Sequence, residues 1–154
     1  MRFRATFAAL LIAFASPAYA WWDYAKWGMT IDELRKASGG KIEECNSPCR
    51  LNTSHVARGV QVIGLTGDAG FAFDSAGHLE RTVLWFEDAF AEGALERALL
   101  SIYGAPVSKT PGATRSTIWR GDDRSTIGLI VYTHLKGTPL SGVFVIYQPA
   151  AKGL

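Results

Sequence analysis

Residues 88–106 read DAFAEGALERALLSIYGAP and carry the clearest helical pattern in the chain. Gly104 and Pro106 are typical of a helix end, and Asp88 marks the predicted start. The apolar residues that share one side of a helix with this spacing are Ala91, Leu95, Ala98, Leu99 and Ile102. The pattern predicts a helix that packs this side against the rest of the protein.

The segments on both sides of this helix are rich in β-branched and aromatic residues or alternate apolar with polar residues, as strands do. The strands predicted before the helix are Gly59–Thr66, Gly70–Asp74 and His78–Glu87. The strands predicted after it are Val107–Thr110, Ser116–Arg120, Ser125–Thr133 and Ser141–Gln148. Turns are predicted at 67–69, 74–77 and 121–123, and a linker at 134–140.

The last strand before the long helix carries apolar residues on both faces. Leu79, Val83 and Trp85 share one face, and Leu84 and Phe86 lie on the other. This pattern predicts that the end of the strand is covered on both sides.

A shorter helix is predicted within WGMTIDELRKASGG, residues 27–40. Thr30 and Glu33 have the spacing of a capping box, and Gly39 stands where a helix commonly ends. The predicted helix therefore spans residues 31–38. Its predicted inward side consists of Ile31, Leu34 and Ala37 or Ser38.

The order of these elements decides the fold class. A parallel sheet needs a helix between successive strands, whereas here each helix is followed by a group of strands. The order predicts an α+β fold: an antiparallel sheet with helices on one face, built from two successive helix-then-strands units.

The first twenty residues have the pattern of a secretory signal peptide. Arg2 and Arg4 precede an apolar run too short to span a bilayer, and Ala18-Tyr19-Ala20 forms a cleavage site. We predict a signal peptide over 1–20 and a single mature domain over 21–154, soluble and exported to the periplasm or the medium. No membrane anchor is predicted to remain after cleavage.

The charge balance argues against nucleic acid as a partner. The chain has 16 Lys and Arg against 14 Asp and Glu, and removal of Arg2 and Arg4 with the signal leaves the mature domain neutral. A nucleic-acid-binding domain usually carries a clustered basic excess. The mature chain shows no basic stripe and no basic amphipathic helix of the kind that binds membranes.

The only two cysteines, Cys45 and Cys49, lie in the polar stretch 40–58, which is predicted to be mostly loop with a short strand near 41–44. An even pair of cysteines in an exported chain is most simply a disulfide. A thiol redox or metal-handling site that uses Cys45, Cys49 and His55 is the alternative. Arg50 favours the redox version because it would stabilise a thiolate.

The search for other chemistry finds turn and cap residues. No Gly-x-Ser-x-Gly motif occurs, and adjacent carboxylates such as Asp122-Asp123 fit a turn. We predict no catalytic residue, no cofactor and no metal, and a protein that binds another protein or a ligand.

Aromatic residues cluster at the mature N-terminus, and aromatic side chains are enriched at protein interfaces. The residues predicted to form an interface are Trp21, Trp22, Tyr24 and Trp27, together with Asn46 and Arg50 of the cysteine loop. The competing interpretation is that Trp27 and one neighbour cap the core beside the first helix.

Two short motifs resemble those of small exported bacterial domains. Gly28-Met29-Thr30 with Glu33-Leu34, and Tyr103-Gly104 with Pro106, are similar to motifs in outer-membrane assembly lipoproteins of the SmpA/OmlA type and in β-lactamase-inhibitor proteins. The chain lacks the lipidation cysteine of the former. The resemblance implies a helix-then-strands domain that binds another envelope or secreted protein without catalysis, and it leaves the oligomeric state open.

Overall fold

The secondary structure consists of two helices and a larger number of strands. The computed structural model describes residues 24–46, 49–88, 90–132 and 141–150. The helices are α1 (Ile31–Ala37) and α2 (Ala91–Tyr103), and Arg50–Asn52 forms a 3₁₀ turn. The strands are β1 (Glu43–Glu44), β2 (His55–Val62), β3 (Leu65–Phe73), β4 (Leu79–Phe86), β5 (Ser108–Thr110), β6 (Thr114–Arg120), β7 (Thr126–Tyr132) and β8 (Gly142–Gln148).

All of these strands belong to one antiparallel sheet in the order β1-β2-β3-β4-β8-β7-β6-β5. The edge strands β1 and β5 are two and three residues long. The predicted antiparallel sheet with two helices is confirmed, in a fold made mostly of strands. The predicted signal peptide, Trp21, Trp22 and the linker 134–140 lie outside the described residues.

The centre of the sheet is the pair β4 and β8, which are far apart in sequence. Leu84 lies opposite Val145, and Trp85 lies opposite Phe144. Leu84 and Val145 belong to a buried cluster that also contains leucines of both helices, whereas Trp85 and Phe144 belong to a second cluster. Since successive residues of a strand point to opposite faces, the two clusters lie on opposite sides of the sheet.

Helix α1 is formed as its capping residues predict. The backbone N–H of Thr30 donates to Glu33 Oε2 at 2.8 Å, and the N–H of Glu33 donates to Thr30 Oγ1 at 3.4 Å. The bond from the Thr30 N–H, with a second one from Thr30 Oγ1 at 3.1 Å, lowers the pKa of the Glu33 carboxyl. Leu34 is buried, as predicted. Of the two candidates for the last inward position, Ser38 is buried and Ala37 is exposed.

Helix α2 begins at Ala91, three residues later than predicted. Asp88 lies in the turn before the helix, where its Oδ1 accepts the backbone N–H of Phe90 at 2.8 Å. The buried residues are Ala91, Leu95 and Leu99, spaced by four. The prediction that Ile102 faces inward is wrong, since Ile102 is 53% exposed. Tyr103 continues the four-residue spacing and packs against the core instead.

The turn between the first long strands is displaced from its predicted place. It lies at Ile63-Gly64, where both φ angles are positive, 48° and 81°, as a two-residue hairpin requires. The predicted turn at 67–69 is wrong, because those residues lie within β3. Gly67 is there for close packing: a Cβ would lie 2.5 Å from the carbonyl oxygen of Trp85.

Strand β4 is covered on both faces as predicted, but one of its residues lies on the other face from the one predicted. Val83 to Phe86 are all buried, so the prediction of cover on both sides is confirmed. Leu79, however, shares a cluster with Leu84 and Phe86, away from Val83. A register shift between Ala72 and Phe73 of the neighbouring strand places Leu79 on this side.

A pair of tyrosines ties the end of α2 to the centre of the sheet. The hydroxyl oxygens of Tyr103 and Tyr147 lie 2.7 Å apart. Burial, and then the bond from Tyr103, raises the pKa of Tyr147 far above its usual range. Burial also raises the pKa of Tyr103. The folded protein therefore favours neutral phenols.

Alkaline pH should destabilise the protein through Tyr147. An unfolded tyrosine ionises near pH 10 while the folded one stays protonated, so the free energy of unfolding falls as pH rises above about 10, by up to about 1.4 kcal/mol per pH unit. Urea denaturation of wild type and Tyr147→Phe from pH 8 to 11 measures this fall. The slope should be shallower in Tyr147→Phe, and equal slopes would contradict the assignment.

Two glycine substitutions should change stability in opposite directions. A Cβ at Gly70 would lie 2.7 Å from Thr53 Cγ2 and 2.9 Å from Trp85 Cζ3, so we expect Gly70→Ala to lose about 1–3 kcal/mol. Gly93 lies in α2, where a Cβ would meet only Arg97 Nη1 at 3.5 Å, and Gly93→Ala should gain about 0.5–1 kcal/mol. Urea midpoints of the two variants test the packing at Gly70, and a neutral Gly70→Ala would refute it.

Candidate binding surface

The face of the sheet opposite the helix-containing cluster has its own apolar residues. Four of them are buried: Val56, Val83, Trp85 and Phe144. Those partly buried against them are Cys45, Leu51, Ile130, Tyr132 and Ile146. No residue of α1 or α2 belongs to this second cluster as the described residues define it. Among the described residues outside the long strands, those that pack on this side come from the segment that follows β1.

Four partly exposed residues continue the second cluster across β6, β7 and β8. We call Ile118, Ile130, Tyr132 and Ile146 the apolar strip. Gly128 lies opposite both Ile118 and Ile146, and Ile118 Cδ1 lies 3.4 Å from the position that a Cβ at residue 128 would take. The ring of Tyr132 meets Phe144 edge-on, with centroids 5.6 Å apart. The strip is thus held by buried neighbours while part of its surface remains accessible.

The cysteine loop lies beside this surface. Cys45 and Cys49 form a disulfide with their Cα atoms 5.7 Å apart, as predicted. Leu51 and Asn52 follow with positive φ angles of 51° and 56°, which turns the chain sharply before β2. The backbone N–H of Cys45 donates to the Ser54 carbonyl at 2.9 Å. The loop is therefore fixed at both of its ends.

Arg50 connects this loop to the sheet. Its guanidinium donates to the Ser141 carbonyl at 3.1 Å and to Glu87 Oε1 at 3.2 Å. It also lies 5.8 Å from the ring centroid of Trp85, within range of a cation–π contact. The side chain is only 17% exposed. Arg50 thus holds the loop in place, whereas the predicted interface residue Asn46 is exposed.

Arg81 supports the same loop from β4. Its Nη2 donates to the Leu51 carbonyl at 2.9 Å and to that of Asn52 at 3.4 Å. These are the carbonyls of the residues with left-handed backbone, so the arginine satisfies groups that no strand can pair. Together the disulfide and the two arginines make a rigid border for the apolar strip.

His55 lies apart from the cysteines. It pairs with Glu44 across β1 and β2, but its ring packs edge-on against Phe73, which belongs to the helix side of the sheet. Its Nδ1 lies 2.9 Å from Ser54 Oγ. Burial, with a smaller contribution from the charge of Arg35, lowers the pKa of the imidazole.

The structure thus does not bring the three residues of the thiol or metal alternative together. Cys45 packs against the second cluster, on the other side of the sheet from His55. Within the described ranges, no three His, Cys, Asp or Glu side chains are grouped to hold a metal ion. That alternative stays a prediction from sequence.

The aromatic N-terminal segment contributes to the helix side. Tyr24 and Trp27 are partly buried against the cluster that contains the helix leucines. This position fits the interpretation in which Trp27 and one neighbour cap the core beside the first helix. An interface role for this segment remains a prediction.

Sequence patterns contain a signal for the apolar strip that the predictions did not use. Residues 127–132 (IGLIVY) and 143–147 (VFVIY) are apolar at almost every position, which is typical of strands with apolar groups on both faces. A strand of this kind that packs one face against the core presents its other apolar residues to a loop, a partner or water.

The chain finds no significant match among models of protein families, among curated protein sequences or among solved structures. The resemblance to exported helix-then-strands domains therefore remains a prediction from the two short motifs. Neither helix in the described part of the chain is long and apolar enough to cross a membrane.

Loss of the disulfide should loosen the loop without unfolding the domain. Closure of a five-residue loop stabilises a protein by about 2 kcal/mol in the chain-entropy model. We expect the Cys45→Ser, Cys49→Ser double variant to lose no more than about this amount. Amide exchange should rise at residues 49–54 and remain unchanged at Val145 in the sheet centre. Equal acceleration at both places would show that the disulfide holds the whole domain together.

Proposed function

We propose that this protein is an exported, non-catalytic binding module that holds another envelope or secreted protein against the apolar strip. The observation that carries this proposal is the strip itself: Ile118, Ile130, Tyr132 and Ile146 lie on a sheet face that α1 and α2 leave free. A partly exposed group of large apolar residues is typical of a protein-binding site.

The arrangement of the fold in two halves supports the choice of this face as the binding surface. Each half runs helix and then strands, and the order β1-β2-β3-β4 is mirrored by β8-β7-β6-β5 across the centre. We infer that the chain consists of two successive helix-then-strands units with both helices on one face. This arrangement agrees with the fold that the resemblance implies, and it directs binding to the opposite face.

Two residues in or beside the strip, Tyr132 and Arg50, favour a protein as the partner. Tyrosine and arginine are enriched among residues that contribute most to protein interfaces. Tyr132 is fixed by Phe144, and Arg50 is fixed by Ser141 and Glu87. Side chains that are ordered before binding lose little conformational entropy on binding, which favours affinity.

The disulfide supports the proposed location. Disulfides persist in oxidising compartments, and the signal-peptide pattern of residues 1–20 provides the route there. We infer a protein of the periplasm or the medium.

Charge substitution in the strip tests the proposal. The purified protein is immobilised and exposed to the exported fraction of the cells that make it, and each retained protein is then purified and its affinity measured by calorimetry. A charged group at Ile130 would have to be desolvated on binding, so Ile130→Lys should weaken the affinity by about tenfold or more.

The control variant is Ile102→Lys, because Ile102 is exposed on α2 on the helix side. It should bind the partner as wild type does. Equal affinities for both variants would refute the strip as the binding surface. The double variant Trp21→Ala, Trp22→Ala tests the aromatic segment in the same assay, and a loss of affinity there would place that segment in the interface.

A further inference from the structure

A groove of about 680 Å³ lies at one end of the sheet. It adjoins the face that carries the apolar strip and continues around the strand ends to the segment before α1. Side chains of polar or aromatic character line it: Trp27, His78, Arg81, Arg120, Thr126 and Gln148. Its volume is within the range of small-molecule sites.

The sheet register places three of these residues side by side. Thr126 lies opposite Gln148 on one side and Arg120 on the other. Their Cα atoms therefore span about 10 Å across three adjacent strands. Arg81 lies on β4, on the other side of Gln148 from Thr126, because its neighbour Thr82 pairs with Tyr147 of β8. The floor of the groove is thus a continuous polar row with an arginine at each end.

Two buried nitrogen atoms of the lining residues have no hydrogen-bond partner among the described residues: Trp27 Nε1 and Arg81 Nε. Both are N–H groups that donate and cannot accept. A buried donor without a partner destabilises the folded protein. Any group that pairs with these two donors has to supply acceptor atoms.

The arginines of the groove lack carboxylate partners as well. Arg35, Arg50, Arg58 and Arg115 each form a salt bridge with an acidic side chain. Arg120 has only two 3.4 Å contacts, to the Arg124 carbonyl and Thr126 Oγ1. Arg81 contacts only backbone carbonyls among its described partners. The groove thus contains two guanidinium groups that contact no carboxylate within the part of the chain that the structure describes.

Two acidic residues of the groove, Asp74 and Glu80, limit how much negative charge a ligand can carry. Asp74 Oδ1 accepts the backbone N–H groups of Ala76 and His78, each at 2.9 Å, so this oxygen serves the turn. Glu80 is exposed and also lines the groove. A long polyanion would be repelled by these carboxylates, whereas a compact anionic group could lie between the arginines.

We propose that this groove binds a small organic anion whose carboxylate or phosphate oxygens accept hydrogen bonds from Arg81, Arg120 and Trp27. Arginine suits both groups because its planar fork matches their oxygen atoms. Thr126 and Gln148 supply hydrogen-bonding groups for the rest of the ligand. The site is separate from the protein-binding strip and does not depend on the function proposed for it.

Nitrogen-15 NMR of the purified exported protein observes the unpartnered donors directly. The indole N–H of Trp27 and the Nε–H of Arg81 are assigned with Trp27→Phe and Arg81→Lys. Citrate and glycerol 3-phosphate are added separately at constant ionic strength, with glycerol as the neutral probe. At least one of the anions should shift both signals in a saturable way, and the one that does identifies the preferred group. Glycerol should leave both signals in place.

Variants of two exposed arginines locate the site. Loss of a charged hydrogen bond should make Arg120→Gln bind the anion about tenfold or more weakly. Arg97→Gln, on α2, is the matched control and should bind as wild type. The proposal is overturned if neither anion gives saturable shifts, or if Arg120→Gln and Arg97→Gln bind equally. Ile130→Lys should still bind the anion, which separates this result from failure of the protein-binding proposal.

Discussion

The pairing of β4 with β8 is the interaction on which the other features of this protein depend. It joins the strands of the two halves, and it is their only shared boundary within the sheet order of the described residues. Leu84 and Val145 contribute to the core beneath the helices from this pair, while Trp85 and Phe144 contribute to the cluster on the opposite face. Both packed layers therefore meet at the same two strands. A shift of one residue in this register would exchange the layers.

The local elements were largely predictable because each depends on residues close in sequence. Thr30 and Glu33 cap α1 through bonds across three residues, and Gly104 ends α2. The errors arose where distant residues decide. Ile102 fits a helical apolar side, but the sheet beneath α2 is contacted by residues spaced by four. Glycine is typical of turns, but Gly67 lies within β3. The close approach of the Trp85 backbone on β4 explains why a glycine is needed there.

The candidate surfaces were predictable to a smaller extent. The disulfide was predicted from the signal-peptide pattern and the even cysteine count, neither of which requires knowledge of the fold. The apolar strip required knowledge of which face the helices cover, and the groove required the register of β6, β7 and β8. Arg81 and Arg120 are 39 positions apart in the chain. Only the strand order places them at the two ends of one polar row.

The short edge strands leave few unpaired backbone groups at the sides of the sheet. A long, open sheet edge offers unpaired backbone groups to any extended chain, whatever its sequence. Here β1 and β5 offer two and three residues, and the side chains of β5 are all exposed. The proposed binding would therefore proceed through the side chains of the sheet surface, where shape and charge distinguish one molecule from another. The same truncation protects a strand-rich domain from joining edge to edge with its own copies.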